Sequence, residues 1–203
     1  MKFILNTAVD PHFCALFDEN NELIERREWT NRRMDGREVF EFLNKFHLGF
    51  KKIQNPGLSF TFLGGVAGPG GFSSLRAGAG VLNALSFSYK LPVHQVRADR
   101  WIQEFLRTQG ENAQAFVLNS FSDGVFISEG ENPNAPLQRV DVNEAVQRFS
   151  EPVFVGLLPI EKQKKFSKSL DIPFENTELA LLTVLEKTNP QEIFLPDYEF
   201  PPV

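Results

Sequence analysis

Seven of the 14 glycines in this 203-residue chain fall between Gly64 and Gly80, and that run restricts the fold more than any other stretch. It is approached by Phe60, Thr61, Phe62 and Leu63, aromatic, β-branched or apolar without a break, which predicts a strand. Beyond it no proline interrupts Ser73 to Lys90, which predicts a helix with Ser73 or Ser74 capping its first turn. Between the two, Gly68-Pro69-Gly70-Gly71 dictates a tight turn, because glycine reaches positive φ at low cost and proline presets the adjoining corner. A glycine turn between strand and helix raises phosphate binding, and the residue types argue against it. A Walker loop ends Gly-Lys-Ser/Thr with the lysine on the phosphates, where this chain has Gly71-Phe72-Ser73. The dinucleotide fingerprint needs a third glycine or alanine where Ser73 stands, and Pro69 removes an amide donor from the cradle. A tight turn with close packing is the expected role.

The helix that follows is rich in small residues. Ala77, Gly78, Ala79 and Gly80 occupy one turn, and each interior glycine costs about 1 kcal/mol relative to alanine, normally offset by close approach of another backbone. Ser73, Ala77, Gly80 and Ala84 share one side, with Leu75, Leu82, Leu85 and Tyr89 around the others. A helix small or apolar nearly all round is buried on more than one side, deep in the domain or against a partner.

Leu63 to Val96 closely resembles the signature of the TsaB (YeaZ) family, roughly G-R-G-P-G-S-F-T-G-L-R-I-G, then a small-residue helix and a Leu/Ile-Pro strand. Gly68, Pro69, Gly70, Phe72, Leu75-Arg76 and Gly78 match at the right spacing, and Leu91-Pro92-Val93 follows. Ala67 stands for the usual arginine, Gly71 for the usual serine and Ser74 for the usual glycine. The opening Ile4-Leu5-Asn6-Thr7 resembles the family's I-L-A-I-D-T, with Asn6 in place of the aspartate. That carboxylate helps handle metal and phosphate in active members of the superfamily, and an amide has no charge to hold a cation. Leu118 to Phe126 keeps the shape of the family's I-D-A-R-x-G-E-V-Y segment without its charges, and Phe194 to Pro202 resembles the family's P-x-Y-L-R-x-P tail.

Along the chain, strands are expected at Phe3–Leu5, Phe13–Phe17 and Leu23–Trp29, with Asp18 to Asn21 as the turn of a hairpin. Arg32, Arg33 and Arg37 fall in a solvated basic connection, and Asp35 caps a helix carrying Val39, Phe40, Leu43 and Phe46. Three strands, then helix, strand and helix, describe a ribonuclease H-like half of the actin/hexokinase/Hsp70 superfamily, an α/β fold with a mixed sheet and flanking helices. Residues 1–97 form this first domain, and 98–189 a smaller, reduced second α/β domain. The 190–203 tail packs back on the first domain, as the family resemblance implies. In the second part, Trp101, Phe105 and Leu106 mark a helix, and Ala115–Asn119 and Val125–Ser128 a hairpin turning at Ser122-Asp123-Gly124. Glu129 to Pro136 reads as a polar loop, Asn143–Phe149 as a short helix, Val153–Leu157 as a strand and Ile160–Leu170 as a helix. Thr177 caps a last helix through Leu185, and no internal repeat is visible.

No catalytic constellation is expected. His12, His47 and His94 are 35 and 47 residues apart, unlike the H-x-x-x-H metal motif of TsaD, and no G-x-S-x-G elbow is present. Cys14, the one cysteine, permits no internal disulfide, suits a reducing cytoplasm and sits in an apolar strand as packing. Asp18-Glu19 and Glu129/Glu131 fall in turns, and Lys162, Lys164, Lys165 and Lys168 read as a solvated helix face. A net charge of −5 argues against gripping nucleic acid unaided, and no apolar run reaches membrane-spanning length or forms a signal peptide.

The resemblance implies a non-catalytic scaffold or activator subunit of the machinery that makes threonylcarbamoyladenosine in tRNA. In that family TsaD transfers the threonylcarbamoyl group, TsaB pairs with it through helices of its first domain, and the ATPase TsaE joins them. The chain is expected to bind no cofactor by itself, ATP or ADP belonging to the interface of the complex, and to meet tRNA only through that complex. Phe40, Asn44, Leu75, Arg76, Ala79 and Asn83 are the expected partner-facing residues on the two helices. The alternatives are a kinase-like or other ATP-dependent transferase of the same superfold, which lacks a second phosphate loop and base aspartate here, and a self-associating homodimer using the same helices.

Overall fold

In β1 (Lys2–Asn6), Phe3 and Leu5 enter one apolar cluster and Ile4 another, so the two-residue period of the strand faces two separate layers. The computed structural model describes residues 1–30, 35–51, 60–111, 113, 115–120, 123–129, 137–149, 153–155, 157–167, 169–170 and 175–197 (backbone only at 35, 46–51 and 129). The neighbouring strand β2 (His12–Phe17) repeats the alternation, with Phe13, Ala15 and Phe17 on the face of Ile4 and Cys14 and Leu16 on the face of Phe3. β2 pairs antiparallel with β1 and with β3 (Leu23–Trp29), while β4 (Phe62–Gly68) and β5 (Val93–Arg97) extend the sheet in parallel. The spatial order is β3-β2-β1-β4-β5, the ribonuclease H-like arrangement expected from the element order.

A second sheet repeats that order. β6 (Ala115–Asn119), β7 (Gly124–Glu129) and β8 (Gln138–Asp141) form the antiparallel half, and β9 (Val153–Phe154) and β10 (Ser169–Leu170) the parallel half, in the order β10-β9-β6-β7-β8. The architecture is therefore a topological duplication. No sequence repeat announces it, because the second copy is shortened to two-residue strands at one edge.

The helices complete five layers. α1 (Asp35–Lys51) and α2 (Phe72–Tyr89) cover the outer face of the first sheet through Val39, Phe42, Ala79 and Leu82. α3 (Ala98–Thr108) and α6 (Glu178–Leu185) lie between the two sheets. α4 (Val142–Arg148) and α5 (Ile160–Gln163) back the second sheet. The middle layer is one continuous core: Ile4, Phe13 and Phe17 of the first sheet, Trp101, Phe105, Leu181 and Leu185 of the helices, and Phe116, Phe126 and Phe154 of the second sheet share it. Phe13 meets the Trp101 ring edge-on at 5.7 Å, and the Trp101 indole donates to the Thr177 carbonyl at 2.9 Å. Asp99 ties the same layer with charge: its buried carboxylate accepts from Arg97 at 3.1 and 2.9 Å and from the Ser128 hydroxyl at 2.7 Å.

Three expectations differ. The helix expected over Ile160–Leu170 ends at Gln163, because Lys162 turns inward and donates to Asn119 Oδ1, Ser120 O and Gly124 O at 2.9, 3.2 and 2.9 Å. The chain then tightens through Lys165 N–H to Lys162 O and Phe166 N–H to Gln163 O, and finishes as β10. Burial among these carbonyls pushes the Lys162 ammonium pKa down, and Lys168 lies outside the described residues, so the four lysines are not one solvated face. The strand expected over Val153–Leu157 stops at Phe154. Gly71, not a serine, is the N-cap of α2, so Ser73 is exposed and Ser74 buried within its first turn. Glu131 to Pro136, Ser122, Arg32 and Arg33 lie outside the described residues. Among the described residues no helix is long and apolar enough to cross a membrane.

A core shared in this way couples both sheets. Phe13→Ala should cost about 3–5 kcal/mol. Denaturant unfolding followed by tryptophan fluorescence and by circular dichroism should give one coincident transition for wild type and variant; separate transitions for the two sheets would contradict the shared core.

Candidate interaction surface and the glycine loop

The glycine run works by bringing backbone against backbone. A Cβ on Gly70 would overlap the Ala8 carbonyl, and one on Gly78 would overlap Thr7 Oγ1, so the turn after β4 and the first turns of α2 press directly on the turn after β1. Gly68 has φ +145°, and a Cβ there would stand 2.7 Å from the Asp197 carbonyl oxygen. Phe72 is partly exposed, with the Arg76 guanidinium 5.3 Å from its ring centroid. The signature positions Gly68, Gly70 and Gly78 are thus each occupied from outside by another part of the same chain.

Asn6 organises the turn that those glycines meet. It is fully buried, and its amide is satisfied on both sides. Nδ2 donates to Val9 O at 2.8 Å and Pro11 O at 2.9 Å, while Oδ1 accepts from the amides of Ala8 and Val9 at 3.1 and 3.3 Å. A carboxylate would accept from the two amides and repel the two carbonyls. The asparagine is chemically matched to a closed turn rather than to a cation.

The C-terminal strap runs from the amino end of β5 to the carboxyl end of β4. Gln191 and Val93 exchange two backbone hydrogen bonds of 2.8 Å, the Leu195 amide donates to Gln95 Oε1 at 3.0 Å, and the Asp197 amide donates to Ala67 O at 2.8 Å. Phe194 is buried in the outer core between them. The tail does return to the first sheet; Tyr198 onward lies outside the described residues.

α2 then presents one open face. Ser73, Arg76, Gly80, Ala84 and Phe87 are exposed, and Ala77 is half-buried, so the small-residue side named from the sequence is the outward one. Nothing lies within 4 Å of a Cβ built on Gly80, and Phe87 is 87% exposed. On the adjoining α1, Phe40 is 64% exposed and Asn44 half-buried. Two expected interface residues point the other way: Leu75 and Ala79 are buried, Leu75 in the middle core and Ala79 against the first sheet. Asn83 is committed to the strap, accepting from the Phe194 amide at 2.8 Å and donating to its carbonyl at 3.1 Å. The outward set is therefore Phe40, Asn44, Arg76, Gly80, Ala84 and Phe87. Gly80 and Ala84 were legible in the small-residue side; Asn83 had no signal in the chain, because its partner is 111 residues away.

The remaining polar groups serve packing. His12 is buried with Nε2 3.5 Å from Asp10 Oδ1, and His94 stacks on Phe62 at 4.4 Å with Nδ1 3.2 Å from Thr188 O. Among the described residues no three potential ligand side chains gather as a metal site; the His47 side chain lies outside them. Burial pushes the Cys14 thiol far up, which keeps it protonated. A cavity of about 670 Å³ opens between the sheets beside Asp10, Arg26, Glu28, Asn119 and Glu175. Arg26 in its wall is paired with Glu28 at 2.5 Å and Glu178 at 3.2 Å and stacks on Phe13, so this guanidinium is engaged within the chain.

Asn6→Asp should destabilise the fold by about 2–4 kcal/mol at pH 7, since it buries a carboxylate against two carbonyls that have lost their donors. Burial raises the introduced carboxyl above its unfolded value of about 4, so the deficit is full above the raised value and shrinks as pH falls through it. Urea melts of both proteins from pH 4 to 8 measure this; a pH-independent or absent deficit would show that the turn does not depend on the amide.

No protein-family model and no curated protein sequence matches the chain. Solved structures do. YeaZ from Pseudomonas aeruginosa aligns at TM-score 0.67 and 18% identity, covering 98% of this chain and 100% of that one. A second Pseudomonas aeruginosa structure, of an uncharacterized protein with similarity to peptidase YEAZ, aligns at 0.66 and 18% over 98% and 99%. The alignments run over both sheets and all five layers, and the chain is YeaZ-like in fold throughout.

Proposed function

We propose that this chain is a non-catalytic scaffold subunit that presents the outer face of α1 and α2 to a partner, and that the partner is TsaD in a threonylcarbamoyladenosine-forming complex. The observation that carries the reading is Gly80. Inside a helix, glycine costs about 1 kcal/mol relative to alanine. Gly68, Gly70 and Gly78 each meet another part of this chain; Gly80 meets nothing in it. A glycine with open space beside it, between exposed Arg76 and Ala84 and next to the half-buried Ala77, is what a second backbone needs to approach closely. The sequence resemblance at Gly68 to Gly78 and the YeaZ-like fold point to the same machinery. Two features disfavour the transferase alternative: Asn6 is saturated by its own turn, and Asp197 of the strap lies directly against Ala67 and Gly68 at the end of β4. In this reading nucleotide and tRNA are handled by TsaD and TsaE, and this chain holds them only through the complex. The exposed Phe40 and Phe87 on the same face favour a homodimer as the second reading, in which two copies compete with TsaD for it.

Gly80 separates fold from association in one position. Gly80→Ala should raise stability by up to about 1 kcal/mol, whereas Gly80→Arg should leave the fold intact and abolish association. Co-purification with TsaD from the same organism, with ATP and TsaE present, and sedimentation of the chain alone read the two partners. Loss of the heterodimer in Gly80→Arg supports the scaffold reading. Loss of a homodimer alone supports the second, and wild type that binds neither removes both.

A further inference from the structure

We infer that the C-terminal strap sets the position of the outer face of α2, and that Asn83 is the residue through which it does so. This deepens the scaffold reading and rests on it for its functional consequence. Asn83 is half-buried and stands three residues after Gly80, one before Ala84 and four before Phe87, so it borders the open face without belonging to it. Its amide grips one residue of the strap from both sides, accepting from the Phe194 amide at 2.8 Å and donating to the Phe194 carbonyl at 3.1 Å. Phe194 cannot yield, because its ring is buried in the outer core beside Gly65, where a Cβ would stand 3.3 Å from it. The strap is in turn fastened to the sheet on both sides of Phe194, at Val93 through Gln191 and at Gln95 and Ala67 through Leu195 and Asp197.

α2 needs such a fastening. Its side chains are small from Ala77 to Gly80, Gly78 and Gly80 weaken it from within, and in the turns that follow Leu82 is its one large side chain buried completely. At its start it is pinned by the contact of Gly78 on Thr7, and at its end by Ser86, whose hydroxyl donates to Leu91 O at 2.6 Å. The turns carrying Gly80 and Ala84 lie between those pins, and Asn83 is the polar tether found there. A face recognised by close backbone approach tolerates little displacement, so its pose matters more than that of a face recognised by long side chains. Asn83 is thus a positioning residue for association.

The test uses the full-length chain with Asn83→Ala and Phe194→Ala, and Ile127→Ala in the second sheet as a control of comparable thermal destabilisation. Hydrogen exchange of the free proteins should show the Gly80 to Phe87 amides exchanging at least tenfold faster in both strap variants and not in the control. Affinity for the partner should fall at least tenfold in the same two variants only. Unchanged exchange in the strap variants, equal acceleration in the control, or wild-type affinity despite faster exchange would each overturn the inference. Wild type that binds no partner would remove the scaffold reading instead, and the exchange result would still decide whether the strap positions α2.

Discussion

Two pieces of chain, Thr7-Ala8 after the first strand and Gly68 to Gly78 after the fourth, meet closely, Gly70 on the Ala8 backbone and Gly78 on the Thr7 side chain, and the rest of the first sheet is arranged around that meeting. The contact needs a closed turn after β1, which Asn6 supplies by accepting from two amides and donating to two carbonyls. It needs glycine at Gly70 and Gly78, where any Cβ would overlap the opposite chain. With the loops this close, α2 is held against the outer face of the first sheet. That is why Ala79 and Leu82 pack on the strands while Ser73, Gly80 and Ala84 are left outside. The same closeness makes the loop a joint between two parts of the chain.

The second constraint is the layer between the sheets. In a two-lobed α/β protein that works by opening and closing, the lobes have separate interiors and a polar seam. Here α3 and α6 put Trp101, Phe105, Leu181 and Leu185 into contact with aromatic residues from both sheets, and the buried Asp99 carboxylate joins Arg97 at the edge of one sheet to Ser128 in the other. Separating them would expose these rings and strand that carboxylate. The cavity beside Arg26 is a recess in the rim of this fused core, not a hinge-lined cleft.

Much of this was readable from the residues. The short unbroken apolar runs Phe13 to Phe17 and Ala115 to Leu118 gave the strands nearly to the residue, because each is buried on both faces. The small-residue side of α2, with Ser73, Ala77, Gly80 and Ala84, was readable as a group from its helical spacing, but not which way it faces. What was not legible depends on long-range partners. β8 and β10 are edge strands of four and two residues with mixed polarity, and only pairing defines them. The helix that ended early did so because Lys162 found three carbonyl or amide oxygens on the β6–β7 hairpin, about forty residues away. Leu75 and Ala79 were placed outward because periodicity fixes the spacing of a helical face but not its orientation.

The departures of this chain from the family signature fall into place against that geometry. Asn6 in place of aspartate supplies an amide that donates two hydrogen bonds as well as accepting two, and the turn after β1 is closed by them. Gly71 in place of serine is the extended N-cap of α2 and makes no side-chain cap bond, so the helix start relies on packing against Ala8 and Thr7. Ala67 in place of arginine puts a small buried residue at the strand end where the Asp197 amide must reach its carbonyl. At Asn6 and Ala67 the residue present serves a hydrogen bond made within the chain. Gly80 alone among the glycines of the run's helix has no such internal contact. The internal approaches at Gly68, Gly70 and Gly78 are closed by the chain itself, and the side of α2 at Gly80 is the one left open.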